Sequence, residues 1–198
     1  MSQTIQLLQN RRTHYILAKS SPVSDAKIIE LVEEALKHTP TAFNSQNGRV
    51  VILLHNHHDK LWQMTHDALK AVVPADQFPA TAEKITAFAD SYGTLLFFED
   101  QAIISNLQEQ FPLYAHNFPV WSQQSNGILQ NNIWVALAEV GLGASLQHYS
   151  ELIESAVREA WQIPDEWKLV AQMPFGQIVS EPDEKQYQPI EQRVKVFA

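Results

Sequence analysis

The 198-residue sequence contains no cysteine. That excludes disulfides, thiolate metal sites and a cysteine nucleophile, and it fits a reducing compartment such as the cytoplasm. Long apolar runs are also missing: no stretch approaches the roughly 20 residues needed to cross a bilayer. The N-terminus lacks the apolar core of a secretory signal. Positive charge is scarce, with 14 Lys and Arg against 22 Asp and Glu. A net charge of −8 argues against a general nucleic-acid binder or a partner for anionic membranes. There is no internal repeat, low-complexity tract or composition break, so the expectation is one domain over residues 1–198, large enough for a substantial core.

One local absence is informative. Residues 1–24 carry no Asp or Glu, yet contain Arg11, Arg12 and Lys19. A short helix over Thr4–Asn10 would present Arg11-Arg12-Thr13 at its end. An isolated Arg pair is most often solvated surface. Fork-shaped guanidinium donors beside a hydroxyl also suit a phosphate.

The stretch His38–Arg49 joins two patterned segments. Before it, Ile28, Ile29, Val32, Ala35 and Leu36 recur at helical spacing from a Ser24 N-cap, and Pro40 stops that helix. After it, Val50–Leu54 is the short apolar run of a buried strand. Between them, Thr41, Asn44, Ser45 and Gln46 supply hydroxyl and amide groups. These can serve their own turn, or grip a flat heterocycle rich in carbonyls and ring nitrogens.

Further along, His55-Asn56-His57-His58-Asp59 invites a metal reading, but adjacent histidines diverge and no spaced ligand supports them. Asp59 reads as the cap of a helix reaching Val73. Thr81 opens another, ending near Asp90. Gly93–Phe98 is a second buried strand; the Glu99-Asp100 pair after it reads as a cap for a helix starting at Gln101. Tyr114, Phe118 and Trp121 lie in a Pro-punctuated segment and are either core or the wall of an aromatic pocket. A long helix over Ser122–Val140 has a wide apolar band, the mark of a buried central helix or a subunit interface, with Gly141 as its C′ residue. Ser150 caps the next helix, and Trp167–Phe175 forms a last strand ending at Gly176. The tail closes on Arg193 and Lys195, which share a side if the chain is extended.

Two of these segments resemble a known family. Thr39-Pro40-Thr41-Ala42-Phe43-Asn44-Ser45-Gln46 between helix and strand, with Arg11-Arg12-Thr13 upstream, looks like the flavin-binding arrangement of the nitroreductase family. Over Thr4–Phe197 the chain resembles its subgroup related to the fungal fatty-acid-repression nitroreductases and their short bacterial relatives. Asn47-Gly48 departs from the commoner Pro-Trp. The resemblance implies an α+β fold: a central mixed β-sheet surrounded by helices in an intertwined homodimer.

It also implies FMN as cofactor, NAD(P)H as electron donor and ping-pong reduction of a small nitroaromatic or quinone acceptor, without a catalytic side chain or metal. Arg11, Arg12, Thr13, Arg193 and Lys195 would hold the phosphate. Asn44, Ser45 and Gln46 would grip the ring edge. Leu146, Gln147, His148 and Tyr149, after Gly141-Leu142-Gly143, would pass along the ring. Tyr114, Phe118 and Trp121 would form the substrate pocket. Tyr15 stands where relatives carry Lys or Arg, leaving Arg12, Lys19 or Arg49 to supply charge near flavin N1 and O2. Alternatives are another flavin enzyme of this fold (flavin reductase, dehalogenase, fatty-acid-linked oxidoreductase) and a non-enzymatic flavin-binding regulatory or storage protein.

Overall fold

The computed structural model describes residues 2–198. Its centre is a five-stranded sheet in the order β1 (Leu17–Ala18), β5 (Trp167–Ile178), β3 (Gly93–Asp100), β2 (Gly48–Leu54), with β4 (Leu142–Ala144) also pairing with β5. Every ladder between these strands is antiparallel, and the parallel component is one bridge, Thr13 to Ala144. β3 is buried along its whole length, which is why Gly93–Phe98 reads as an unbroken apolar run.

Alternate residues of β3 feed two cores. Leu95 and Phe97 join Ile28, Val32, Leu129, Ile133 and Leu137 from α2 (Asp25–His38) and α6 (Phe118–Glu139). Leu96 and Phe98 join Leu61, Trp62, Ile85, Phe88, Ile153 and Val157 from α3 (Asn56–Val72), α4 (Phe78–Ala89) and α7 (Ser150–Trp161). Helices thus cover both faces. α1 (Gln3–Asn10) and α5 (Gln101–Gln110) complete the set.

Several ends differ from the sequence reading. α3 begins at Asn56 rather than Asp59, because His55 turns the chain at φ 51° and places Asp59 inside the first turn. α6 begins at Phe118, four residues before Ser122: Pro119 sits in its first turn, where a missing N–H costs nothing. α4 likewise starts at Phe78 with Pro79 in its first turn. Ser150 is the first residue of α7, not its cap. β5 continues to Ile178, through Gly176; a Cβ there would lie 2.6 Å from the Ala18 carbonyl, so the glycine permits β1 to approach. Gly141, at φ 83°, ends α6 as expected. No helix is long and apolar enough to cross a membrane among the described residues.

Candidate active site

The loop between α2 and β2 is held by its own polar groups. Thr41 Oγ1 accepts from the Gln46 N–H at 3.0 Å, and Ser45 Oγ donates to Asn47 Oδ1 at 2.8 Å. Buried Asn47 donates in turn to Ser122 Oγ of α6 at 2.6 Å. This internal bracing forces Phe43, Asn44 and Gln46 to φ values of 56°, 50° and 48°. Three non-glycine residues in the left-handed region within four positions is a concentration of strain of the kind found where geometry serves a ligand. Thr41, Ser45 and Asn47 are consumed in holding the loop. The exposed Asn44 and Gln46 side chains make no hydrogen bond to the described residues and remain free to grip a ligand.

Beside the loop lies a cleft of about 330 Å³ lined by Thr41, Gln46, Asn47, Ser122, Ser125 and Asn126, among others. Its floor is a polar stripe on the buried face of α6: Asn126 donates to the Phe98 carbonyl at 3.1 Å and Gln130 to Asn126 Oδ1 at 2.7 Å. Ser122, Asn126, Ile133 and Leu137 keep one helical phase, so this stripe was readable in the sequence as polar residues in register with apolar ones. Phe43 is a further residue the sequence reading passed over. Its ring lies 4.8–6.4 Å from those of Phe111, Tyr114, Phe118 and Trp121, and is stacked at 20° on Trp121. The three aromatics assigned to a pocket are therefore gathered, Phe118 buried and Tyr114 exposed, around a residue of the loop.

The basic segment lies elsewhere. Arg11, Arg12, Thr13 and Tyr15 line a groove of about 520 Å³ with residues 180–183 and Lys185. Arg12 donates to the Asp183 carbonyl. The Arg11 guanidinium stacks on Trp134 of α6, 4.5 Å from the ring centre; partial burial and the neighbouring Arg12 lower its pKa. No protein acceptor is hydrogen-bonded to it among the described residues, so its fork is available to an anion. Arg193 and Lys195 are exposed and line neither this groove nor the clefts on either side of the sheet end. Of the cations considered for the ring, Lys19 is paired with Asp59 at 2.7 Å, and Arg49 with Asp100 at 2.8 Å and the Gln46 carbonyl at 2.7 Å. Arg49 is thus attached to the loop, and Lys19 is engaged on α3.

The segment after β4 is clamped to β5. The Gln147 N–H donates to the Gln172 carbonyl and the Tyr149 N–H to Gln172 Oε1, both at 2.7 Å. Among the described residues, the Leu146 and His148 N–H groups of this segment have no hydrogen-bond partner. His148 is exposed. It borders a third cleft, of about 580 Å³, with Tyr149, Gln123, Lys168 and the buried carboxyl of Glu99. Asp100 caps α5, accepting from the Ala102 and Ile103 N–H groups; Glu99 takes no part in that cap. Among the described residues, no three or more His, Asp or Glu side chains, the histidine run included, are grouped so that they could hold a metal ion.

One chain therefore presents three candidate surfaces: a strained loop with free amides, a cationic groove, and a cleft with unpaired N–H groups at its edge. The sequence profile of the nitroreductase family matches residues 8–177. The chain belongs to the nitroreductase family. Among curated nitroreductase relatives, HBN1 of Saccharomyces cerevisiae is 37% identical over 196 residues, covering 98% of this chain and 96% of HBN1. The nitroreductase FRM2 of the same yeast is 34% identical, with 92% of each chain covered. Among solved nitroreductase structures, CinD from Lactococcus lactis in complex with chloramphenicol superposes with a TM-score of 0.90 at 48% identity, covering 98% of this chain and all of CinD. CinD complexes with 4-nitrophenol and nicotinic acid give 0.89 and 0.87, over the same shares of both chains. The family expected from the loop and the Arg-Arg-Thr segment, and the α+β fold of a sheet surrounded by helices, are those found.

Proposed function

We propose that this nitroreductase-family oxidoreductase uses FMN to pass electrons from NAD(P)H to nitroaromatic or quinone acceptors, by a ping-pong sequence, in the cytoplasm. The observation that carries the reading is the braced loop at Thr41–Gln46, which spends every polar side chain but Asn44 and Gln46 on holding those two outward. The donor sets fit the cofactor. Arg11 and Thr13 offer a charged fork and a hydroxyl for a terminal phosphate, with Arg193 and Lys195 brought to it by a second copy of the chain. Asn44 and Gln46 present amides that match the carbonyls and ring nitrogens of the flavin edge, and the Leu146 and His148 N–H groups face the ring. FMN bound there would supply the redox chemistry, accepting a hydride from the nicotinamide and returning two electrons to the acceptor.

The chain's own residues then bind, orient and exclude water. The Phe43–Trp121 stack and Tyr114 give an aromatic acceptor a flat apolar wall. This agrees with the ligands of CinD, two of which, chloramphenicol and 4-nitrophenol, are nitroaromatic. Donor and acceptor use one place in turn, which makes the kinetics ping-pong.

The test is the visible spectrum of the purified protein. Yellow protein bleached by NADPH or NADH without oxygen, and recoloured by 4-nitrophenol or benzoquinone, is the expected result. A colourless preparation that takes up no FMN on titration would refute the cofactor assignment. Bound flavin that resists reduction by either nucleotide would favour a binding protein.

A further inference from the structure

Of the two carboxylates at the end of β3, Glu99 is the one that makes neither the helix cap nor the ion pair. It lies at the end of β3 with 4% of its surface exposed, between Gly48 of β2 and Lys168 of β5. Its Oε1 is buried and has no hydrogen-bond partner. Its neighbour Asp100 performs both the capping and the Arg49 ion pair. A glutamine of the same shape would avoid an uncompensated charge, so a buried, half-satisfied carboxyl is expensive as pure scaffold. It lies on the wall of the 580 Å³ cleft that His148 and Tyr149 border.

We propose that Glu99 is the proton donor to the acceptor, delivering its proton through the His148–Tyr149 cleft, over which a second copy of the chain lays its loop and the aromatic wall that holds the acceptor. This rests on the oxidoreductase reading above. FMN, once bound and reduced, would supply a hydride, two electrons and one proton, to one carbonyl oxygen of a quinone. The electron pair displaced through the ring leaves the other oxygen as phenolate. The Glu99 O–H bond then breaks, a phenol O–H bond forms, hydroquinone departs, and the Glu99 carboxylate regains a proton from solvent past the exposed His148. With a nitro group the same hydride and proton convert it to nitroso plus water.

Burial pushes the Glu99 carboxyl up from the ordinary carboxylate range, against the smaller opposing effects of side-chain hydrogen bonds with Ser122 and Gln101 at its other oxygen and of the Lys168 charge. The other groups around it are Lys168 on β5, His148 and Tyr149 on the segment after β4, Glu151 on α7, and the mutually neutralising Arg49–Asp100 pair. From α6 come only the neutral Ser122 and Gln123. The proton is therefore present at pH values where an ordinary glutamate has lost it.

The experiment compares wild type with Glu99→Gln, using Glu151→Gln on the rim of the same cleft as the charge control. In wild type, without nucleotide, infrared difference spectra should show a protonated-carboxyl band that persists above the ordinary glutamate range and vanishes in E99Q. In stopped flow, E99Q should oxidise with benzoquinone on the order of 10²-fold more slowly than wild type, and lose its alkaline limb. Flavin reduction by NADPH should stay within about twofold, since that half-reaction needs no proton from Glu99. E151Q should match wild type throughout. Absence of the band, or an E99Q acceptor step with the wild-type rate and pH profile, overturns the proposal. Failure of the flavin reading shows itself separately, as wild-type protein that NAD(P)H does not reduce, while the infrared titration still reports the Glu99 proton.

Discussion

Phe43, Asn44 and Gln46 occupy a backbone region in which each non-glycine residue costs on the order of 1–2 kcal/mol, asparagine least. The compensating bonds are local: Thr41 to Gln46, Ser45 to Asn47, Asn47 to Ser122. Backbone and side chain can be separated at Asn44. In Asn44→Gly the loop conformation becomes easier, so thermal stability should be unchanged or raised by up to about 1 kcal/mol. FMN affinity should fall by about 0.5–1.5 kcal/mol for the lost hydrogen bond. Differential scanning fluorimetry and a flavin fluorescence titration on one preparation read the two effects. Weakened binding with weakened stability would mean instead that Asn44 holds the loop. The two readings of this loop were not separable in the sequence, because the residue types that brace a tight turn and those that bind a heterocycle are both amides and hydroxyls. Which residue does which was not legible: pairing depends on α6, some 75 positions away, reaching Asn47 through Ser122. Glu99 escaped for the same reason. Sequence spacing identified the caps at Glu99-Asp100 as a pair, but only the packed sheet shows that Asp100 alone performs the capping.

Among the elements, those whose apolar rhythm coincides with a good stop signal were readable to within a residue or two, such as α2 from Ser24 to Pro40 and β3 from Gly93. Those entered without a cap were not. α3 starts from His55, whose side chain caps nothing, and α6 starts through aromatics and a proline that resemble a loop. The sheet and helix layers meet at a buried relay that no single element predicts. Trp62 Nε1 donates to Thr94 Oγ1, Thr94 donates to His58 Nδ1, and His58 Nε2 donates to the Ala89 carbonyl, with contacts of 2.9, 2.9 and 3.1 Å. The relay requires a neutral imidazole, since a protonated Nδ1 could not accept from Thr94. Burial lowers the His58 pKa accordingly. A depressed folded pKa gives stability that is present above the unfolded value, about 6.5, and is lost as pH falls through the folded one. The melting temperature should therefore decline on acidification below about pH 6.5, more steeply in wild type than in His58→Gln. The glutamine variant should itself be less stable at pH 8 by about 1–3 kcal/mol, because Thr94 and Ala89 lose partners. Parallel melting curves of the two proteins from pH 5 to 8 would disprove the relay's role in the titration.

At the scale of the whole molecule, the three candidate surfaces do not converge within one chain. The loop amides face the 330 Å³ cleft, the Arg11 groove runs along residues 180–185, and His148 borders a third cleft. Arg193 and Lys195 sit in an exposed tail whose Val194, Val196 and Phe197 are 54%, 81% and 93% exposed. Apolar side chains on α1 and α6, Ile5, Leu8 and Ile128, are also uncovered. A second copy that covers these and carries its loop to the first copy's groove would unite the donors, making FMN a ligand of the dimer alone. Mass action then predicts that flavin strengthens association. A ligand at 100 times its dissociation constant stabilises the state it binds by about 2.7 kcal/mol. Sedimentation velocity on apoprotein diluted stepwise should show dissociation, and FMN at that concentration should shift the transition to roughly 10⁴-fold lower protein concentration, a factor of about 100 for each of the two equivalent sites of a symmetric dimer. The melting temperature should rise with it. Arg11→Ala should keep the apo dimer, because its guanidinium rests on Trp134 of its own chain, but abolish most of the FMN-induced shift. A monomer that retains flavin and full activity at high dilution would show that one chain builds the whole site.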